Sequence, residues 1–536
     1  MMRYRILIIA ILFCGGLAGA GIGQITTWPN GQPDYDRGQA ALRIGNLAYA
    51  LQSFRRAVEL SPDHVEAIKA LANTAKQIKQ RMDPKLRTES PTLAALRTFY
   101  TAQAALAPNK AIFQWALGMF DESQTEEDAE RYYRKAISLD ASFVEAYQSL
   151  ASTLAYRGDF AGAQEMLQKV VELSPLDPDA LAGHALRVGE SDPALGRQLT
   201  EEFLIRFRGN IAGADLIARM AAYEGDLPAR IAALEKLKAL YPPNESEVSE
   251  WYMRFLFDAY NRSDSTSALA LAQEMTRLMP VRSVAQREWY DFVRYAQSLI
   301  LARSLMERRS YAEATDVLNE VQPPYLVSPD PQALRQAEVA AASGKSSRAY
   351  EILVKAMAAQ PSDVLRPVLM TYGSRPAALV EQDIWTARLK KASKVKDFEL
   401  AAMRDGQKIR LTNYRGRVVL LNFWHPGDRV SREEFPYLQK MLQKYGPQGL
   451  TIITVNTKPE ERAIATVLMK RYDFIALGAP DATWAEKNYR VVRTPASILV
   501  DPQGRALFRP EFWGCDPRHS FELEVEAMLA YAPKTR

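Results

Sequence analysis

The sequence predicts a multidomain protein in which an all-α array of repeated helices is followed by a smaller α/β domain. The chain has 536 residues, more than one hydrophobic core usually spans, so at least two domains are expected. Apolar side chains recur at helical spacing through residues 35–374, with little sign of strands. Through residues 395–533, short apolar runs alternate with helical patterns, which is typical of an α/β sandwich.

The overall composition is ordinary for a folded globular protein. Hydrophobic residues make up 47% of the chain and charged residues 24%. The net charge of +5 is small for this length, and no basic stripe is visible. We therefore expect no nucleic-acid partner.

Residues 1–20 have the features of an export signal. Arg3 and Arg5 supply a positive start, residues 6–13 form a short apolar core, and residues 18–20 offer a small-x-small cleavage site. The sequence thus predicts a periplasmic or secreted bacterial protein. The alternative is an uncleaved anchor that holds the chain in the membrane, facing the periplasm, because apolar residues continue past the cleavage site.

The array contains copies of one helical pattern. In the first copy, the small side chains of Ala50 and Ala57 allow two helices to approach closely, and Phe54 fills the groove between them. Gly45 is expected to end the first helix and Pro62 the second. Each copy is therefore a helical hairpin.

The spacing of the copies identifies the repeat. Ala129 and Ala163, at equivalent positions of two copies, lie 34 positions apart, which is the length of a tetratricopeptide repeat. The array resembles that family, although residues 180–325 are degenerate. The resemblance implies a superhelix whose concave face binds protein or peptide partners, and the alternative is a spacer that holds domains apart.

Aromatic and histidine side chains of the array are expected to have structural roles. Four aromatic residues are predicted to pack between helices rather than to contact a ligand: Trp115, Tyr147, Trp251 and Trp289. His64 and His184 are predicted to be surface or packing residues.

After a basic, amphipathic helical linker at residues 375–394, the pattern changes to that of an α/β domain. Asp405-Gly406 is a hairpin turn signal. Two continuous apolar runs, residues 418–424 and 450–456, predict buried central strands. Further elements are predicted at residues 431–445 (helix), 460–472 (helix), 484–489 (helix), 496–500 (strand) and 520–532 (helix).

Three landmarks in this domain occur in the order found in a known family. Residues 413–417 precede the central strand, Asn422-Phe423-Trp424 ends it, and Thr494-Pro495 precedes the later strand. In these features the domain resembles the AhpC/TSA redoxins of exported thiol-disulfide oxidoreductases, which have a thioredoxin-like fold. The resemblance implies that Pro495 is a cis-proline facing the active site.

The family's Cys-x-x-Cys is absent, because Asp428 and Ser431 stand at the two sulfur positions. Thiol-disulfide exchange needs an attacking thiolate and a second sulfur, so this residue choice excludes dithiol chemistry here. We expect a degenerate redox site formed by Trp424, Asp428, Ser431 and Pro495, with no catalytic residue. Asp428 is expected to cap the following helix, and residues 431–434 match a capping box.

Two loops of this domain carry residue types found in hydrolytic sites and in metal sites. His425, Asp428 and Ser431 are the residue types of a catalytic triad, but three residues of one loop rarely align in that way. We therefore predict that His425 is an exposed loop residue. Cys515 and His519 supply fewer ligands than a metal site needs, so neither a metal nor a cofactor is expected.

The sequence therefore predicts an exported interaction scaffold whose array and thioredoxin-like surface bind polypeptide without dithiol chemistry. An alternative is a redoxin-family oxidoreductase or antioxidant protein that acts through Cys515 or through a partner's thiol. Cys515 is the only cysteine that remains if Cys14 is removed with the signal. A third possibility is a structural adaptor whose C-terminal domain covers the end of the array. Membrane contact is expected only if the N-terminal segment is retained.

Overall fold

The computed structural model describes residues 31–81, 91–120, 126–157, 159–222, 224–373, 376–508 and 517–531. The predicted export signal, Cys14 and Cys515 lie outside these ranges. Among the described helices, none has both the length and the apolar character needed to cross a membrane. The chain divides into two compact units, residues 1–122 and 123–536.

The first unit contains five helices within its described residues: α1 (Gln32–Arg43), α2 (Leu47–Leu60), α3 (Val65–Arg81), α4 (Pro91–Leu106) and α5 (Ala111–Phe120). Ala50, Phe54 and Ala57 of α2 are fully buried, as the repeat pattern predicts. Gly45 turns the chain between α1 and α2 with a φ of +75°, a conformation that favours glycine. Gly38 lies so close to the Phe54 ring that a Cβ there would overlap it.

The second unit continues with helices α6 to α20. They are α6 (Glu126–Leu139), α7 (Val144–Tyr156), α8 (Phe160–Leu173), α9 (Pro178–Ser191), α10 (Pro193–Arg206), α11 (Ala212–Ala222), α12 (Leu227–Leu240), α13 (Glu247–Ser263), α14 (Ser265–Leu278), α15 (Val284–Glu307), α16 (Tyr311–Asn319), α17 (Asp330–Ala342), α18 (Ser346–Ala359), α19 (Leu365–Gly373) and α20 (Ala377–Leu389). Each of these helices packs against the next through α19, so the pairwise packing persists where the repeat sequence is degenerate.

An aspartate begins the second helix in each of four successive pairs, α7–α8, α9–α10, α11–α12 and α13–α14. In each case the carboxylate accepts a backbone N–H from the first turn of the helix, which satisfies a donor that would otherwise lack a partner. The residues are Asp159 (α8), Asp192 (α10), Asp226 (α12) and Asp264 (α14). The same aspartate N-cap therefore fixes the start of the second helix in each of these pairs.

Most of the packing predictions for the array are confirmed. Trp115, Tyr147 and Trp289 are buried, and so are His64 and His184. The prediction for Trp251 is wrong, because its side chain is 44% exposed.

The C-terminal domain has a six-stranded sheet in the order β1-β8-β7-β4-β5-β6, flanked by a β2–β3 hairpin. The strands are β1 (Ser393–Lys394), β2 (Glu399–Ala401), β3 (Lys408–Arg410), β4 (Val418–Trp424), β5 (Leu450–Asn456), β6 (Ile475–Gly478), β7 (Ala496–Val500) and β8 (Arg505–Ala506). The helices are α21 (Arg429–Tyr445), α22 (Arg462–Met469), α23 (Trp484–Tyr489) and α24 (Pro517–Tyr531). Every residue of β4 and β5 is buried, which explains their continuous apolar sequence.

Helix α20, which occupies the predicted linker, is packed on both of its neighbours. Val380 and Ile384 belong to the core of the last helices of the array, whereas Trp385 belongs to the core of the C-terminal domain. The Trp385 ring stacks on Tyr531 of α24, with ring centroids 4.0 Å apart. The array and the C-terminal domain therefore share this helix.

Arg388 of α20 also contacts both the array and the C-terminal domain. Its buried guanidinium donates from Nε to the Ala358 carbonyl at 3.1 Å and from Nη2 to the Met357 carbonyl at 2.8 Å. These carbonyls lie in the last turn of α18, where no helical N–H is available to them. The guanidinium also lies 4.8 Å from the centre of the Phe508 ring. Burial lowers the pKa of Arg388 to about 10, so the favourable contacts hold a charge that is costly to bury.

Candidate functional site

Sheet pairing brings the two site loops to the same end of the domain. Strand β4 runs antiparallel to β7, and Phe423 is paired with Ala496. The loop that follows Trp424 therefore lies beside the segment that precedes Ala496. The Thr494–Pro495 peptide bond in that segment is cis, as the family resemblance implies.

Asp428 and Ser431, at the positions of the family's sulfurs, are hydrogen-bonded to each other. The Ser431 hydroxyl donates to Asp428 Oδ2 at 2.7 Å, and the Val430 N–H donates to Asp428 Oδ1 at 3.1 Å. Asp428 is the N-cap of α21, which confirms its predicted role. The predicted capping box at residues 431–434 is wrong, because the helix begins at Arg429 and Ser431 is fully buried within its first turn.

A glutamate that the sequence reasoning missed organises the same loop. Glu461, in a short 3-10 turn after β5, accepts the Gly427 N–H at 2.8 Å through Oε2. The same oxygen lies 3.4 Å from His425 Nδ1, and Lys458 Nζ lies 3.5 Å from Glu461 Oε1. Because Glu461 follows His425 by 36 positions, no local sequence pattern indicates the pair.

The contacts of Glu461 correct two expectations about His425. Its side chain is only 17% exposed, so it is not an exposed loop residue. The arrangement of a catalytic triad is also absent from these residues. The Ser431 hydroxyl is directed to Asp428, whereas His425 pairs with Glu461, so the imidazole does not lie between a nucleophile and an acid.

Glu461 is held in its charged form. Burial raises its pKa, but the hydrogen bonds from His425 and Gly427 and the charge of Lys458 together outweigh burial. The net result lowers the pKa of Glu461 from 4.5 to about 2. The ionised carboxylate therefore stabilises the folded loop.

Replacing Glu461 with glutamine is expected to lower the free energy of unfolding by about 2 kcal/mol at pH 7. The folded-state pKa lies below the unfolded value, so the contribution is complete above pH 4.5 and is lost as the pH falls towards about 2. Urea unfolding of both proteins at several pH values measures this difference. A difference that stayed constant from pH 7 to pH 3 would contradict the assignment.

Trp424 lies in the core beneath the site loop and is not part of the exposed surface. It is fully buried and packs edge-to-face on Phe435, with ring centroids 4.8 Å apart. A buried ring offers a ligand no area, so Trp424 contributes to the predicted degenerate site only through packing. Pro495 is also buried. The apolar side chains exposed here are those of Val430 (53%) and Val492 (71%).

The remaining predictions for the site concern a metal ion, Cys515 and His519. Within the described ranges, no group of three or more histidine, cysteine, aspartate or glutamate side chains is arranged to hold a metal ion. Cys515 lies outside those ranges, so its role stays a prediction. His519 is described, and its Nε2 lies 2.8 Å from Asp363 Oδ2 of the loop between α18 and α19.

The fold and site define a thioredoxin-like domain, and comparison with known proteins gives its class. The AhpC/TSA family model matches residues 392–506. The tetratricopeptide repeat model matches residues 35–64 and 144–175. The chain thus carries tetratricopeptide repeats and a C-terminal thioredoxin-like domain of the AhpC/TSA type.

Its relatives include enzymes of thiol chemistry. Thiol-disulfide oxidoreductase ResA of Bacillus thuringiensis subsp. konkukian is 29% identical over 104 residues, which is 19% of this chain and 60% of that protein. ResA of Geobacillus thermodenitrificans is 39% identical over 112 residues, which is 20% of this chain and 62% of that protein. The chain spans about 60% of the length of these two ResA proteins.

Two solved structures are among the proteins to which this chain is similar. A thiol:disulfide interchange protein from Bacteroides sp. shows 27% identity with a TM-score of 0.23, and the match covers 25% of this chain and 90% of that chain. The thioredoxin domain of a thiol-disulfide oxidoreductase from Bacteroides vulgatus also shows 27% identity, with a TM-score of 0.22, over 25% of this chain and 96% of that chain.

Proposed function

We propose that this protein is an exported interaction scaffold whose thioredoxin-like domain binds polypeptide without dithiol chemistry. The observation that carries the proposal is the 2.7 Å hydrogen bond between Asp428 and Ser431, at the positions where the family has sulfur. A carboxylate and a hydroxyl cannot form or exchange a disulfide. The sequence has no cysteine between Cys14 and Cys515, so the described loops contain no thiol.

The geometry of the site supports binding of an extended segment. Val430 and Val492 present exposed apolar side chains at the end of the sheet where the cis Thr494–Pro495 bond lies. Residues 492–494 precede strand β7, so their backbone groups can accept a partner in the manner of an added strand. Side chains around Val430 and Val492 would then set the preference for the partner's sequence.

The array supports the same function, because stacked helical repeats generally provide extended surfaces for protein partners. Export, with the periplasm or the exterior as destination, rests on the signal-like residues 1–20 and on the resemblance to exported redoxins. A partner of this scaffold would accordingly be an envelope or secreted polypeptide.

The purified full chain is expected to show no insulin reductase activity above that of dithiothreitol alone. The physical reason is that no second sulfur is available to resolve a mixed disulfide at this site. The assay follows insulin precipitation, with an active thioredoxin as the positive control. Turnover by the full chain would refute the redox-inactive assignment.

A second candidate function is thiol chemistry through Cys515, which the resemblance to named oxidoreductases favours. In that case the activity of the full chain would disappear in a Cys515→Ser variant and would be unaffected by Ser431→Ala. The same insulin assay on both variants separates the two functions.

A further inference from the structure

Trp251 ends a ladder of stacked side chains that runs outward from the core of the array. Trp289 of α15 is fully buried, and the Arg254 guanidinium of α13 lies 5.5 Å from the centre of its ring. The same guanidinium lies 5.2 Å from the centre of the Trp251 ring. Arg254 is buried, whereas Trp251 is 44% exposed although the guanidinium lies over its ring. Trp251 therefore keeps exposed area that a partner can reach.

Hydrogen bonds fix this ladder in place. Arg254 Nη1 donates to Glu250 Oε1 at 2.9 Å, and Arg254 Nη2 donates to Glu288 Oε2 at 2.9 Å. Trp289 Nε1 donates to Glu250 Oε1 at 3.2 Å. These bonds join α13 to α15 and hold the guanidinium between the two indoles. The ladder is consequently rigid before any partner arrives, which lowers the entropy cost of binding.

The charge around the ladder favours a cation. Arg254 carries one positive charge against the two carboxylates that it contacts, Glu250 and Glu288. Glu247, one helical turn before Trp251, is exposed on the same face of α13.

We propose that Trp251 and the carboxylates beside it bind an arginine or lysine side chain of a basic, extended polypeptide. The partner's cation would stack on the exposed part of the Trp251 ring and extend the ladder by one step, since indole is the best aromatic partner for a cation. Glu247 and Glu288 would supply the opposite charge. The exposed ring of Tyr290, next to Trp289 on α15, offers further aromatic area. This inference rests on the proposed scaffold function and specifies the chemistry of one class of partner.

The test measures binding of labelled peptides to the full chain by fluorescence anisotropy. A flexible peptide with arginine at every third position should bind, and its counterpart with glutamine at those positions should bind about tenfold more weakly or not at all. Trp251→Leu should weaken binding of the arginine peptide about tenfold, whereas Trp251→Phe should weaken it less. Tyr325→Leu removes another exposed aromatic side chain of the array and should leave the affinity unchanged.

A second variant keeps the test decisive if Trp251→Leu impairs folding. Glu247→Gln alters only an exposed side chain, and it should weaken the arginine peptide severalfold at low salt and less at high salt. Equal binding of the arginine and glutamine peptides would overturn the proposal, and so would full affinity in both Trp251→Leu and Glu247→Gln. Competition by free arginine methyl ester as strong as that by the peptide, per charge, would also overturn it and indicate a small-cation site.

Failure of this inference is separable from failure of the scaffold function. If the arginine peptide does not bind but other polypeptides do, only the chemistry of the partner is wrong. If the full chain reduces insulin, the redox-inactive scaffold is wrong, and binding of the arginine peptide at Trp251 is judged on its own measurements.

Discussion

Replacing both Asp428 and Ser431 with cysteine is expected to turn the inactive domain into a disulfide reductase. Asp428 is the N-cap of α21, and a sulfur at that position would meet the N–H groups and positive dipole of the helix, which lower the pKa of a thiol. The side chains at positions 428 and 431 already touch, so the two sulfurs would be within reach of each other. Insulin reduction should rise at least about tenfold above that of the unmodified chain.

The single variants are the matched controls for this gain of activity. Asp428→Cys alone and Ser431→Cys alone each lack the second sulfur, so neither should sustain turnover. All three variants are best made with Cys515→Ser, which prevents that thiol from taking part. A double variant that folds normally, as judged by circular dichroism, and yet remains inert would show that the site has lost more than its sulfurs.

Replacing Arg388 with alanine is expected to lower the free energy of unfolding by about 2–4 kcal/mol. The change leaves the buried carbonyls of Met357 and Ala358 without their donor and removes the cation from the Phe508 ring. The relief from burying a charge offsets only part of this loss. Thermal unfolding should then separate into two transitions, because the array and the C-terminal domain lose a shared anchor.

Arg366→Ala is the matched control for the Arg388 prediction. Arg366 of α19 forms an exposed ion pair with Glu381 of α20, the helix that also carries Arg388, and such pairs contribute at most about 1 kcal/mol. Calorimetry of the two variants side by side gives the comparison. If Arg366→Ala proved as costly as Arg388→Ala, burial of the guanidinium would not be the source of the effect.

The sequence predicts elements well where a strand or helix is specified by its own residues. Strands β4, β5 and β7 have the predicted bounds: every residue of β4 and β5 is buried, and β7 ends in three buried apolar residues. Strand β6 was missed. Its four residues, Ile475–Gly478, include alanine and glycine, which are depleted in strands. Pairing with β5 and the bridge from Ala402 to Leu477 hold it extended, and neither contact is local.

The same limit applies to the site. The cap at Asp428 was predictable, since it depends on residues within one helical turn. Glu461 was not, because its partners His425 and Gly427 are distant along the chain. The burial of Trp424 likewise depends on Phe435 in the following helix. Local patterns therefore identified the loop, while the contacts that shape it come from tertiary structure.

The sharing of α20 between the array and the C-terminal domain has a consequence for avidity. A flexible tether would let two binding surfaces adjust to almost any partner, with an effective concentration that depends on tether length. Here Val380 and Trp385 of one helix are fixed in two different cores, so the distance between the surfaces is set by the fold. A partner with two recognition segments would gain from both surfaces only if the spacing of those segments matched that distance. The scaffold would in this way select partners by length as well as by chemistry.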